Sequence, residues 1–271
     1  MQLIKSRRFV FLFSTIASTM LASVSGRAQV ALDNADNAAY APQPTHNWSP
    51  INGGFGYGGW TQVTDISGGG TYMEGVGVNG RQVEGNFSFA LFAGNGGFDI
   101  SRPLLNPVQA GQFNIITRFD IAGAGANEVG LRAGNSVVGF ATGGLLSFGI
   151  VSDSQLSYTD AGGLHTLASG EARGSVWDWT VDFDATAGTF SLSVTNLGGG
   201  FATTVSGNLE ASGTSLGSFA VINSSAGGNQ NVIFDVPGVE AVPEPSTLAL
   251  LGMGLGGGAW MMRRRKQVSR A

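Results

Sequence analysis

The chain predicts an all-β fold, a two-sheet β-sandwich of the jelly-roll type, and three observations carry that prediction. From Trp60 onward, short segments alternate apolar with polar residues and are punctuated by glycine clusters. No segment of the body sustains the 3.6-residue period of an amphipathic helix. Glycine supplies 44 of 271 residues and charged side chains only 12%, the composition of a turn-rich β protein rather than a helical one.

Residues 29–55 read as a loose leader, rich in Asn and Ala and spaced out by Pro42, Pro44 and Pro50. The sandwich domain is expected over 56–240. Strands are predicted at 60–66, 71–78, 86–92, 97–101, 112–121, 127–133, 136–141, 145–151 and 155–159. Five more follow at 173–184, 188–196, 201–209, 216–222 and 231–236. The clearest stretch is 175–196. Trp177, Trp179, Val181 and Phe183 alternate with Asp178, Thr180, Asp182 and Asp184, which gives one apolar and one acidic face. A turn at 184–188 returns the chain through Phe190, Leu192 and Val194, so a long hairpin lies with one face on a core. Phe113, Ile115, Thr117 and Phe119 mark a similar strand. Two stacked sheets bury such patterns best.

The two ends describe delivery. Lys5, Arg7 and Arg8 precede an apolar run from Phe9 to Ala22, and Gly26-Arg27-Ala28 offers small residues for cleavage. Residues 1–28 are therefore expected to be a signal peptide handled by the Sec translocon and signal peptidase. At the far end stand Val242, Pro243, Glu244, Pro245 and Ser246, an apolar run over 247–262, and a basic stop of Arg263, Arg264, Arg265 and Lys266. As a helix the run is about 24 Å long at 1.5 Å per residue, slightly short of a bilayer core of about 30 Å. Snorkelling of Arg263 and local thinning absorb the difference. The basic cluster keeps that end in the cytoplasm and places the body outside.

This tail, 241–271, resembles the PEP-CTERM sorting signal of Gram-negative exported proteins: a Pro-Glu-Pro motif, an apolar helix and a terminal Arg cluster in that order. The resemblance implies processing by an exosortase, a membrane-embedded enzyme, and release to the cell surface among exopolysaccharide. The body resembles, on fewer residues, the concanavalin-like β-sandwich domains. Ser101-Arg102-Pro103-Leu104, Arg118-Phe119-Asp120, Asp182-Phe183-Asp184 and Val232-Ile233-Phe234-Asp235-Val236 carry that likeness. Such folds host lectins, glycan-binding modules and glycosidases alike, so the likeness leaves function open.

Composition excludes several functions. All 18 acidic residues lie between Asp33 and Glu244, against five basic ones (Arg81, Arg102, Arg118, Arg132 and Arg173). That stretch is near −13 and holds no lysine, which repels nucleic acid. There are no cysteines, so no disulfide, thiolate metal site or cysteine nucleophile exists. No Gly-x-Ser-x-Gly occurs, and the glycine-rich run at 52–59 has neither lysine nor a following helix to cradle phosphate.

Paired carboxylates for glycan cleavage would need two groups across a cleft. Asp178, Asp182 and Asp184 come nearest, sharing a strand face that reads as a solvated acidic surface. No catalytic role is expected. The acidic body admits one structural calcium, with Asp182 and Asp184, Asp153 and Asp160, or Asp99 and Asp120 as contributors, although no loop has the spacing of a calcium motif. His46 and His165 are too isolated for zinc. Trp48, Tyr57 and Trp60, beside glycine loops, are the candidate glycan contacts if exposed. As core residues, Trp60 would open the first strand and the others would cap a sheet end. The expected function is a non-enzymatic structural or adhesive protein of the surface matrix, with glycan binding as the alternative and glycan hydrolysis behind it.

Overall fold

The computed structural model describes residues 27–40, 48, 51–65, 69–75, 81–93, 97–120, 126–134, 144–151, 155–170, 174–224 and 231–242. Gln29–Ala241 forms one compact unit, and it is an all-β sandwich. The first sheet runs β13 (Ala202–Asn208), β12 (Thr189–Asn196), β11 (Val176–Asp184), β6 (Ala110–Asp120), β15 (Asn231–Ala241), β4 (Phe87–Phe92) and β3 (Gly70–Gly75). An eighth strand, β1 (Ala28–Leu32), is added on β15. The second sheet runs β10 (Gly163–Ser169), β9 (Gln155–Asp160), β8 (Gly144–Val151), β7 (Ala126–Ala133), β14 (Leu216–Asn223), β5 (Phe98–Val108) and β2 (Thr61–Asp65). Neighbours along both orders pair antiparallel.

The period-2 strands behave as their pattern dictates. In β6 and β11 every second residue is buried, so Phe113, Ile115, Trp177, Trp179 and Val181 enter the core while Asp178, Thr180 and Asp182 face outward. Trp179 Nε1 donates to Thr117 Oγ1 at 2.8 Å, which satisfies the one polar group of a fully buried indole. Phe148 of the opposite sheet lies 4.9 Å from that ring, centroid to centroid. The two sheets thus meet through aromatic side chains.

Two strands run past their predicted ends because proline is tolerated at irregular positions. β5 continues through Pro103 and Pro107 to Val108. β15 continues through Pro237 to Ala241 by way of a register shift between Asp235 and Gly238, where Val236 has φ 45°. β1 and β10 are strands that the alternation pattern does not predict. The predicted strand at 136–141 lies outside the described residues.

The loose leader is the main correction. β1 pairs β15, and Leu32 and Phe55 exchange backbone hydrogen bonds of 3.1 and 2.9 Å. Gly58 N then donates to Pro103 O at 2.8 Å, and Leu105 N to Gly56 O at 2.9 Å. The segment therefore runs from the eight-stranded sheet to the seven-stranded one and closes one side of the sandwich. Glycine is required at two points of this crossing. A Cβ on Gly54 (φ +70°) would lie 2.3 Å from Leu32 O, and one on Gly56 (φ +76°) 1.9 Å from Val30 O. A buried ion pair between Asp33 and Arg102 fastens the segment from within. Long-range backbone pairing, absent from the local pattern, makes the described parts of the leader, 29–40 and 51–55, part of the domain.

Candidate functional site

The three aromatic residues expected at a glycan surface are in the core. Trp48 is 0% exposed, Tyr57 7% and Trp60 8%. Trp48 packs 4.8 Å from Trp60 and 4.7 Å from Phe89, and its Nε1 donates to Tyr72 O at 2.8 Å. Tyr57 donates to Pro237 O at 3.2 Å, and the Arg102 guanidinium lies over both Tyr57 and Trp60 at 4.9 and 4.8 Å. No ring face is left for a sugar. The glycine loops beside these residues serve close backbone crossing instead.

The acidic strand face is structural as well. Asp182 accepts from Gln112 Nε2 at 2.8 Å, and Asp184 accepts from Ala187 N at 2.8 Å to hold the hairpin turn. Of the carboxylate pairs expected as calcium contributors, Asp99 and Asp120 are held apart. Asp99 lies on β5 and Asp120 on β6, in different sheets, and Asp120 is bonded to Arg81 and Arg118. Asp160 is paired with His165 Nε2 at 2.9 Å, and that imidazole stacks on Tyr158. His46 and Asp153 lie outside the described residues. Among the described residues no group of three or more His, Asp or Glu side chains is placed to hold a metal ion.

A different cluster is brought together on the outer face of the seven-stranded sheet. Register sets it. Glu128 pairs with Ile222, which pairs with Asp99. In the next row Ser147 pairs with Gly130, Gly130 with Ala220, Ala220 with Ser101, and Ser101 with Thr61. Beyond that row Arg132 pairs with Ser218. Val129, Leu131, Phe219, Val221 and Ile100 occupy the core face between them, so alternation puts Asp99, Ser101, Glu128, Gly130, Arg132 and Ser218 on the other side. The result is a row of small and hydroxyl-bearing residues with two carboxylates along one flank and a guanidinium on the other. Asp99 and Glu128 stand two strand spacings apart, about 10 Å between Cα atoms.

The electrostatics of this cluster are unusual for a sheet face. Burial pushes the Asp99 carboxyl up to about 6, with the Arg132 charge pulling the other way. Burial also raises Glu128, opposed by the Ser147 hydroxyl, which donates at 3.4 Å, and reinforced by the Asp99 charge. Arg132 is lowered by burial and raised by Asp99. Ser101 Oγ is buried with no hydrogen-bond partner among the described residues. Desolvated acids, a buried guanidinium and an unsatisfied hydroxyl on one face mark a functional-site candidate. Sequence reasoning offers Asp99 only as a calcium contributor and does not single out Glu128 or Arg132 as site residues. Their trace in the sequence is Glu128-Val-Gly-Leu-Arg132, where charge alternates with core residues in an otherwise buried strand.

Val242 is 44% exposed. The remaining sorting-motif residues (Pro243, Glu244, Pro245 and Ser246), the apolar run 247–262 and the stop Arg263–Lys266 lie outside the described residues. Among the described residues no helix is long and apolar enough to cross a membrane. Residues 241–266 match the PEP-CTERM protein-sorting motif. A chain bearing that signal is an exported protein, held first as a membrane-anchored precursor, then processed through an exosortase and released to the cell surface.

Among solved structures, the chain is similar to peanut lectin, with 15% identity, a TM-score of 0.44, and coverage of 66% of this chain and 100% of that one. It is also similar to the globular domain of T. cruzi calreticulin, at 11% identity and a TM-score of 0.46, covering 78% and 94%. The exoplasmic/lumenal domain of VIP36 in a Ca2+/Man2-bound form follows at 9% identity and a TM-score of 0.43, covering 65% and 84%. No curated protein matches the sequence. The sandwich assignment rests on the strand pairing of this chain itself.

Proposed function

We propose that the sorted body is a non-enzymatic, adhesive component of the surface matrix that holds exopolysaccharide through the outer face of its seven-stranded sheet. One observation carries this reading: Asp99, Glu128 and Arg132 flank a row of small residues that includes the unsatisfied Ser101 hydroxyl. Carboxylates accept from sugar hydroxyls, and guanidinium donates to them. The middle of the row is buried, while Thr61 and Asp99 are half-buried at its β5 side, so contact begins there. Upstream, the Sec translocon and signal peptidase deliver the chain, and the exosortase acts near Pro243-Glu244-Pro245.

Calorimetric titration of the released protein with exopolysaccharide from its producing cells tests the reading. Asp99→Asn and Glu128→Gln are expected to weaken binding by about tenfold each, the equivalent of one lost charge-assisted hydrogen bond. Binding unchanged in both variants would remove this face from the function. The two desolvated carboxylates also favour a second reading, glycan hydrolysis. Release of new reducing ends by the wild type, abolished in Glu128→Gln, would replace binding by catalysis.

Delivery has its own expected result. With Pro243, Glu244 and Pro245 changed to alanine, the protein should stay in the membrane fraction at full precursor mass. The wild type should be recovered outside, ending near Pro245. Equal release of both would show that the motif is not what the processing enzyme reads.

A further inference from the structure

Among the described residues, the ends of the two strand orders are not equally guarded. β13 and β3 end one sheet, and β10 and β2 end the other. A free edge presents unpaired N–H and C=O groups, which natural sheets blunt with charge, proline, bulges or cover. β10 is interrupted by a register shift between Thr166 and Ala168, and β2 by one between Gln62 and Thr64. β3 carries Glu74, bound by Arg81 at 2.6 Å, and the same guanidinium donates to Tyr72 on that strand.

β13 has none of these devices. It pairs β12 in unbroken register from Thr189–Asn208 to Thr195–Ala202. Residues 185–209 contain neither a charged side chain nor a proline. Among the described residues no strand covers its other edge. Asn208 O accepts from Ala161 N at 3.1 Å, which leaves 202–207 as the open stretch.

We propose that β13 is a self-association edge, on which β13 of a second copy pairs antiparallel about a two-fold axis at Thr204. The alternating pairs of an antiparallel ladder require such an axis to pass through a residue opposite itself. About Thr204, Thr203 meets Val205 of the second copy and Ala202 meets Ser206, so β-branched and small residues face one another and no charge meets its like. This self-complementarity selects a second copy as the occupant, in an isologous contact. The acidic residues elsewhere on the body make two copies repel. The uncharged strand is where that repulsion is least, and dimerisation should strengthen as salt screens the rest.

Sedimentation of the released protein across concentration, at low and at moderate salt, is expected to show a monomer–dimer equilibrium shifted to dimer by salt. The absence of native cysteine makes single-cysteine variants clean probes. Thr204→Cys should cross-link to a disulfide dimer on mild oxidation, because opposed residues of an antiparallel pair lie within disulfide reach. Ser169→Cys, at the end of the interrupted edge β10, should not. Thr204→Lys sets two like charges face to face and should weaken the dimer by up to about fivefold, with an unchanged far-UV spectrum showing that the exposed substitution leaves the fold intact. A wild type that stays monomeric at every concentration and salt would overturn the proposal. So would a dimer not weakened by Thr204→Lys, or cross-linking of Ser169→Cys as readily as of Thr204→Cys.

Discussion

Arg102→Met is expected to destabilise the sandwich by about 3–5 kcal/mol, the usual cost of stranding one member of a buried ion pair. Arg102 is 1% exposed and Asp33 likewise 1%. The guanidinium is paired with Asp33 and also donates to Gly53 O at 2.6 Å and Gly58 O at 3.1 Å. Tyr40 donates to the same carboxylate at 2.7 Å and accepts from Gly53 N and Trp60 Nε1. Without Arg102, Asp33 would keep a buried charge with two neutral or backbone donors, and the buried Gly53 carbonyl and half-buried Gly58 carbonyl would lose the guanidinium. For a domain of this size the melting temperature should fall by roughly 10 °C.

Arg102→Lys should not rescue it, because a single ammonium cannot serve three divergent acceptors as the planar fork does. Adding Asp33→Asn to Arg102→Met removes the stranded charge. That double variant should be more stable than Arg102→Met alone, and thermal melts of the set form a double-mutant cycle. A double variant no more stable than the single one would show that lost packing over Tyr57 and Trp60, rather than charge, sets the cost.

The second large effect is a dependence of stability on pH centred on Asp235. This side chain is 1% exposed at the irregular point of β15, where it accepts from Ala35 N at 3.0 Å and Val236 N at 2.7 Å. Burial outweighs those two bonds and pushes its carboxyl up to about 7, with Glu84 and Asp36 adding repulsion. A carboxyl whose folded pKa is raised binds its proton more tightly folded than unfolded. The Asp235 contribution to stability is then greatest at low pH and falls as pH rises from about 4 to about 7. Asp99 acts in the same direction, up to about 6.

From pH 5 to pH 8 the Asp235 contribution is on the order of 3 kcal/mol, because each tenfold difference in proton affinity is worth about 1.4 kcal/mol. Melting temperature should therefore drop by several degrees across that interval. Asp235→Asn, neutral throughout, should flatten most of the drop. An equal drop in wild type and variant would show that Asp235 ionises normally in the fold. The same titration bears on the outer-face cluster: Asp99→Asn should remove the part of the dependence that ends near pH 6 and leave the rest.

Features that short-range rules encode are legible in the linear chain. A two-residue period in a 10-residue window already decides that Trp177, Trp179, Val181 and Phe183 share one face, because backbone geometry alone puts alternate side chains on opposite sides. The tail is legible for the same reason, since a rigid motif, an apolar run and a basic stop are read in linear order. The absence of cysteine and the acidic balance needed no structure either.

Which residues of distant strands become neighbours is set by strand pairing across the whole sandwich. The leader lacks alternation, so nothing local marks it as part of the domain. The order of its described parts comes from β15, Pro103 and Arg102, which lie far away in the chain. The same pairing buries Trp48, Tyr57 and Trp60, whose glycine-rich surroundings read as exposed loops. The cluster of Asp99, Glu128 and Arg132 comes from two rows of a sheet, where β14 separates β5 from β7. A register slip of one residue would turn each side chain to the other face. Hydrophobic period specifies a face, but strand order and register specify a site, and those are fixed by the packing of the whole sandwich.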